Sequence, residues 1–147
     1  MEKGLKLSAK SDSPAVDETE FRQLIGNLIY LTATRPNIYF AINYISRFRT
    51  TPKDEHWIAR RRVFQNVKGT SDYGILYSSC NDPKLIGYTD SDWARSMDDK
   101  KSTSGYVFSL GTSVITWSSK KRQVVALSSV EVEYQGTAKA ACEAVWL

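Results

Sequence analysis

Up to Gly69 the apolar positions of this chain recur at helical spacing, and beyond it they alternate. Phe21, Leu24, Ile25, Leu28, Ile29 and Leu31 form a broad stripe. It predicts a helix from about Glu18 to Thr32, with Asp17 as N-cap and acidic residues in the first turn. A second helix is predicted from Pro36, a favoured first-turn residue, to about Arg49, with Ile38, Phe40, Ala41, Tyr44, Ile45 and Phe48 on its stripe. The third follows Pro52 and carries Trp57, Ile58, Val63, Phe64 and Val67. It stops at Lys68 and Gly69, a basic last turn and a C-cap glycine. Short polar links join the three, which reads as a small helical unit.

After Gly69, Tyr73 to Tyr77 and Leu85 to Thr89 read as short strands and Ser102 to Leu110 as a longer one. Gly111-Thr112 turns that strand into Val114 to Trp117, a hairpin. Ser128 with Glu131 forms a capping box for a last helix, whose expected apolar face is Val130, Tyr134, Ala138, Ala141 and Val145. Residues 1–16 mix Gly4, Ser8, Ser11, Asp12, Ser13 and Pro14 without a period and read as a flexible tail. The predicted class is therefore α+β: a three-helix unit over 17–70, then a unit over 71–147 built from a three-stranded antiparallel sheet and one C-terminal helix.

At 147 residues, 41% apolar and 24% charged, the composition is that of a globular chain of one ordinary domain or two small ones. No apolar run approaches the ~20 residues of a membrane span. The Met1-Glu2-Lys3-Gly4 start lacks the apolar core of a signal peptide. Cys80 and Cys142 are too few for a disulfide framework, and one histidine, His56, leaves no room for a multi-histidine metal site. The expected location is intracellular, cytoplasmic or nuclear. The net charge of +4 sits mostly in the first part: 12 Lys+Arg against 9 Asp+Glu up to Pro83, then 8 against 7. Such an excess permits a polyanionic partner without requiring one.

Asp90, Asp92, Glu131 and Glu133 stand out by position. Asp90 closes a predicted strand and Glu133 lies in the first turns of a predicted helix. Carboxylates so placed can converge on Mg²⁺, a hard cation that takes oxygen ligands. Two such ions can activate water and stabilise a leaving oxygen in phosphodiester cleavage. Acidic residues near element ends are ordinarily turn formers and caps, so spacing alone leaves both readings open.

The words around these residues are more specific. They read EFRQLIGNLIYLTATRPN over 20–37, EHWIARRRVFQNVKGT over 55–70, KLIGYTDSDW over 84–93, KKSTSGYVFSL over 100–110, VITWSSK over 114–120 and VVALSSVEVEY over 124–134. Together and in this order they resemble the C-terminal part of the Pol polyprotein of copia-type LTR retrotransposons, especially plant ones. The resemblance implies that the helical part is the end of the reverse transcriptase, around its thumb and connection. It implies that the remainder is the first half of a ribonuclease H domain, which cuts RNA in RNA–DNA hybrids with Mg²⁺. By motif, Asp90 is then the catalytic carboxylate of the first strand and Glu133 that of the first helix, both metal ligands, with Glu131 the helix cap and Asp92 a surface turn residue or accessory acid. Lys100, Lys101, Lys120, Lys121 and Arg122 flank the hairpin and become candidates for gripping the nucleic-acid backbone.

The family's ribonuclease H carries further acids on later elements, and this chain ends at Leu147. The resemblance thus implies a truncated domain, impaired activity, weak Mg²⁺ binding and a hydrophobic first strand whose open edge invites self-association. No Tyr-x-Asp-Asp word occurs, so the chain is not a polymerase by itself. The alternative is a non-catalytic remnant that binds nucleic acid or a protein. Among local departures, Arg95 follows Asp-Trp-Ala where the family has Gly, which is expected to strain the turn if that position takes a positive φ. Arg60-Arg61-Arg62 reads as a solvated basic face, His56 as structural, and at least three of the four tryptophans as core.

Overall fold

The computed structural model describes residues 4–79 and 81–147, so Cys80 lies outside it. The chain is α+β and divides into two compact units, Met1–Gly74 and Ile75–Leu147.

The first unit holds α1 (Glu18–Leu31), α2 (Pro36–Ile45) with a 3-10 turn over Ser46–Phe48, and α3 (Asp54–Gly69). Asp17 caps α1 by accepting the Glu20 N–H at 2.6 Å. The core gathers Phe21, Ile25 and Leu28 from α1, Ile38, Ile42 and Ile45 from α2, and Ala59 and Val63 from α3, all buried. Each large apolar side chain removed from water here contributes about 1.5–3 kcal/mol. The α3 helix ends one residue later than expected: Gly69 is its last helical residue and Thr70 the cap.

Residues 4–16, read as a flexible tail, instead pack onto these helices. Leu7 is 3% exposed within the core. Its N–H donates to the Tyr44 hydroxyl at 3.0 Å. The Val16 N–H reaches the Pro52 carbonyl at 3.2 Å, and the Asp54 N–H reaches that of Pro14 at 2.9 Å. His56 is fully buried, as its structural reading requires. Its Nδ1 accepts the Lys53 N–H at 2.9 Å, and its ring stacks on Phe48 at 3.9 Å. Arg60 departs from the solvated basic face: it is buried, with its guanidinium 3.8 Å above the Trp57 ring and 5.3 Å from that of Phe64. Burial pulls its pKa below the ordinary value, against the opposing charge of Glu20.

The second unit is a three-stranded antiparallel sheet in the order β1 (Leu85–Asp92), β2 (Thr103–Leu110), β3 (Ser113–Lys121), covered on one face by α4 (Ser129–Trp146). A two-residue turn joins β2 to β3. Gly111 there has φ 59°, the positive value a tight hairpin of the II′ pattern needs at its first central position. Tyr73 to Tyr77 is not a strand. No ladder partner adjoins it among the described residues, and side chains hold it instead: Arg35 takes the Tyr73 carbonyl, Ser113 takes that of Leu76, and the Tyr77 hydroxyl donates to the Val114 carbonyl at 3.3 Å.

The α4 helix buries Val132, Gly136 and Ala140, not the expected stripe; Val130, Tyr134 and Val145 are exposed. Two tryptophans are also outside the cores, Trp93 at 54% and Trp146 at 81% exposure. Among the described residues, Phe108, Ala126, Val132 and Ala140 are the buried apolar side chains of this unit, beside buried Ser96, Ser102, Thr103, Ser104 and Ser113. That core is thin and partly polar, so hydrogen bonds carry much of its specification.

Candidate functional site

The α4 helix is locked over the C-terminal end of β1 by a close approach of backbone to side chain. A Cβ on Gly136 would lie 2.4 Å from Ser91 Oγ, so only glycine lets the helix sit so near the strand. Ser91 Oγ is 2.9 Å from Ser104 Oγ on β2. Arg122 closes the arrangement: its Nε donates to Ser104 Oγ at 3.0 Å, Nη1 to Gln135 Oε1 at 2.7 Å and Nη2 to the Val132 carbonyl at 3.5 Å. Ser128 Oγ accepts the Glu131 N–H at 3.1 Å, and Glu131 accepts from the Leu127 N–H and from Gln135 Nε2, both at 2.9 Å. Glu131 is thus spent on the helix start, as its capping position implies.

Asp90 pairs with Gly105 of β2 and lies two residues inside β1, exposed. Because Ser91 faces α4, alternation turns Asp90 to the opposite face of the sheet. Glu133 is exposed on α4, three residues before Gly136. The elements that carry the two residues thus meet at Ser91 and Gly136, with Asp90 on the face of the sheet turned away from α4. Among the described residues no group of three or more His, Cys, Asp and Glu side chains is close enough to hold a metal ion. Asp92 ends β1 and pairs with Arg95 Nη1 at 3.1 Å. The positive φ expected near Arg95 falls instead on Ala94 (50°) and Lys100 (54°).

The five basic candidates separate into two kinds. Lys100 and Lys120 are exposed. Lys121 pairs with Asp99 at 2.8 Å and Lys101 with the same carboxylate at 3.7 Å, while Arg122 is occupied as described. Burial would raise the Asp99 pKa. The hydrogen bonds from Lys121, Ser96 and the Lys101 backbone outweigh it and hold the carboxyl at about 2. Lys139, which sequence reasoning did not single out, joins the basic side of α4: its Nζ lies 3.4 Å from Ser118 Oγ and 5.6 Å from the centre of the Tyr106 ring. Burial, then the charges of Lys120 and Arg122, lower its pKa. Gly136 was also missed. A glycine inside a helical pattern is the signal that would have pointed to the close approach.

A helical unit followed by strand, hairpin and capped helix is the order of elements that the resemblance to a retroelement polyprotein implies. The retrovirus-related Pol polyprotein from transposon RE2 of Arabidopsis thaliana is 42% identical over 142 residues, which cover 97% of this chain and 10% of that polyprotein. That from transposon TNT 1-94 of Nicotiana tabacum is 36% identical over 150 residues, 97% of this chain and 11% of that polyprotein. The chain belongs to the retrovirus-related Pol polyproteins of copia-type transposons. It spans about a tenth of the length of these plant relatives. Secreted RxLR effector protein 161 of Plasmopara viticola is 41% identical over 124 residues, 84% of this chain and 87% of that protein. No family model matches the chain, and no solved structure matches it. Among the described residues no helix is long and apolar enough to cross a membrane.

Proposed function

We propose that this chain supplies the first strand and first helix of a ribonuclease H-type site, with Asp90 and Glu133 as two of its carboxylates, and that the site works on the RNA of RNA–DNA hybrids. The observation that supports this reading is the Gly136–Ser91 approach, which sets the helix that carries Glu133 against the strand that carries Asp90. Mg²⁺ is the cation this reading implies. Two exposed carboxylates on either side of a strand edge offset little of its dehydration, so its retention requires further acidic groups than these. The chain's own part is to hold Asp90 on a rigid strand and Glu133 on a capped helix, and to present Lys100 and Lys120 to a phosphate backbone.

The expected outcome for the purified chain is hybrid binding that weakens with salt and little or no cleavage of a labelled RNA–DNA hybrid in Mg²⁺. Mn²⁺ added to the isotopically labelled chain should broaden the amide signals near Asp90 and Glu133 together, and Asp90→Asn should abolish both effects. Broadening at one of them alone, or nowhere, would overturn the assignment; so would robust cleavage that survives Asp90→Asn.

A second reading, a non-catalytic module acting as a nucleic-acid or protein ligand, draws support from one comparison. A protein named as a secreted effector is matched over 87% of its own length. Hybrid binding untouched by Asp90→Asn, with no response to Mn²⁺, is what that reading requires.

A further inference from the structure

The flank of α4 that meets β3 is polar along its length. Gln135, Lys139 and Glu143 fall four residues apart on it, one above the other. Arg122 Nη1 donates to Gln135 Oε1 at 2.7 Å, Lys139 Nζ lies 3.4 Å from Ser118 Oγ, and Thr116 Oγ1 donates to Glu143 Oε1 at 3.0 Å. Thr116, Ser118 and Lys120 alternate along β3 and so share the face that α4 covers. Lys120 stands there between Ser118 and Arg122. It is exposed, and its side chain has no hydrogen-bond or ion-pair partner among the described residues. Lys139 is exposed too and forms no ion pair among the described residues; the Tyr106 ring, 5.6 Å from Nζ, flanks its ammonium. The charges of Lys120 and Arg122 act on Lys139 more strongly than that of Glu143. Cations gathered in this way leave a positive potential that the chain's own acids do not neutralise.

We propose that Ser118, Lys120 and Lys139 form a step along the β3 flank of α4 that holds a nucleic-acid backbone by its phosphates. The three groups offer donors. Ser118 Oγ accepts from Lys139 and so keeps its own proton for a phosphate oxygen. Each ammonium is a compact point charge with several N–H groups to direct at one. Ser118 and Lys120 are about 7 Å apart along the strand, a step comparable with that between neighbouring phosphates. One phosphate then sits on Lys139 and Ser118 and the next on Lys120. A phosphate has acceptor oxygens on all sides, which suits donors that arrive from a strand and a helix at once. A planar carboxylate is matched best by a guanidinium fork, and that of Arg122 is spent on Ser104, Gln135 and the Val132 carbonyl. Because β1 and β3 are both antiparallel to β2, β3 ends at the same end of the sheet as β1. A backbone seated on the step leads back from that end. The step rests on the ribonuclease H-type reading for the class of its ligand, and it needs no metal.

The test is fluorescence anisotropy of the whole chain with a short labelled RNA–DNA hybrid in EDTA, which removes any contribution of a metal at Asp90 and Glu133. Lys139→Gln and Lys120→Gln should each weaken binding by about 3- to 10-fold at low salt and lower its salt dependence by about one ion, the double variant by about two. Lys139→Arg keeps the charge and should bind within about threefold of the parent. Lys84→Gln removes one charge at the start of β1 and should bind within about twofold of the parent. In the isotopically labelled wild-type chain the amide signals of Ser118, Lys120 and Lys139 should move together as hybrid is added, and this decides the matter if a variant fails to fold. An equal loss in Lys84→Gln, an unchanged salt dependence in folded Lys139→Gln, or signals that move only elsewhere would each overturn the proposal. So would displacement of the hybrid by polyglutamate or by a nucleoside monophosphate at equal concentration of charge, the first pointing to an acidic protein and the second to a free phosphate. Binding in EDTA and the Mn²⁺ response of Asp90 and Glu133 are separate readouts, so the step and the metal site fail independently.

Discussion

Gly136→Ala tests whether the approach of α4 to β1 is as close as the structure makes it. Replacing a helix-interior glycine ordinarily stabilises by about 1 kcal/mol. Here the new methyl would stand 2.4 Å from Ser91 Oγ and 3.7 Å from Ser104 Oγ. Ser91 Oγ cannot swing away freely, because it is bonded to Ser104 Oγ at 2.9 Å, and that oxygen also accepts from Arg122 Nε at 3.0 Å. Overpacking costs about 1–3 kcal/mol, and breaking the serine pair about 1 kcal/mol more. The net expectation is a loss of about 1–2 kcal/mol. Ser91→Ala removes the obstructing oxygen, and the Ser91 Cβ at 3.7 Å is an ordinary contact for the new methyl. In that background Gly136→Ala should stabilise by about 0.5–1 kcal/mol, giving a coupling near 2 kcal/mol in a double-mutant cycle followed by urea denaturation. A Gly136→Ala variant as stable as the parent with Ser91 present, or two substitutions that simply add, would refute the packing argument. It would also remove the observation that supports a site shared by Asp90 and Glu133.

Leu7→Ala should destabilise the helical unit by about 2–4 kcal/mol in chemical denaturation, since Leu7 is 3% exposed; a change under about 0.5 kcal/mol would mean that the N-terminal segment does not belong to the core. Asp99 has a folded pKa lowered from 3.8 to about 2, so its stabilisation is complete above the unfolded value and disappears as pH falls from about 4 to 2. Its side chain is 36% exposed, so after solvent screening the contribution is about 1 kcal/mol, and Asp99→Asn should flatten the acid limb of a stability–pH curve by that amount. Lys120→Ala should leave stability unchanged and reduce the salt dependence of hybrid binding by about one ion, whereas Arg122→Ala should cost about 1–3 kcal/mol of stability through its three acceptors on β2 and α4; equal stability losses would contradict the division between free and occupied cations.

The elements legible in the chain are those whose signals are local. The stripes of α1 and α2 repeat at the helical period, Gly111 supplies the one backbone conformation the hairpin turn needs, and Ser128 with Glu131 marks the start of α4 by a hydrogen-bond pattern spanning four residues. Tertiary structure decided whatever depends on a distant partner. Leu7 has no periodic neighbours in a polar segment and is buried only because three helices from elsewhere in the chain close around it. Tyr73 to Tyr77 has strand composition but no strand beside it among the described residues, and its carbonyls go to Arg35 and Ser113. Arg60 reads as one of three surface charges until Trp57 and Phe64, a turn away on either side, enclose it. The rotation of α4 is the plainest case. The large residues Val130, Tyr134 and Val145 suggested one face, yet the helix turns Val132, Gly136 and Ala140 inward. Depth of approach to the Ser91–Ser104 pair, rather than summed hydrophobicity, chooses the face. The side of the sheet on which Asp90 stands is settled in the same way: alternation is written in the strand, but which of its two faces meets a helix depends on where the helix packs.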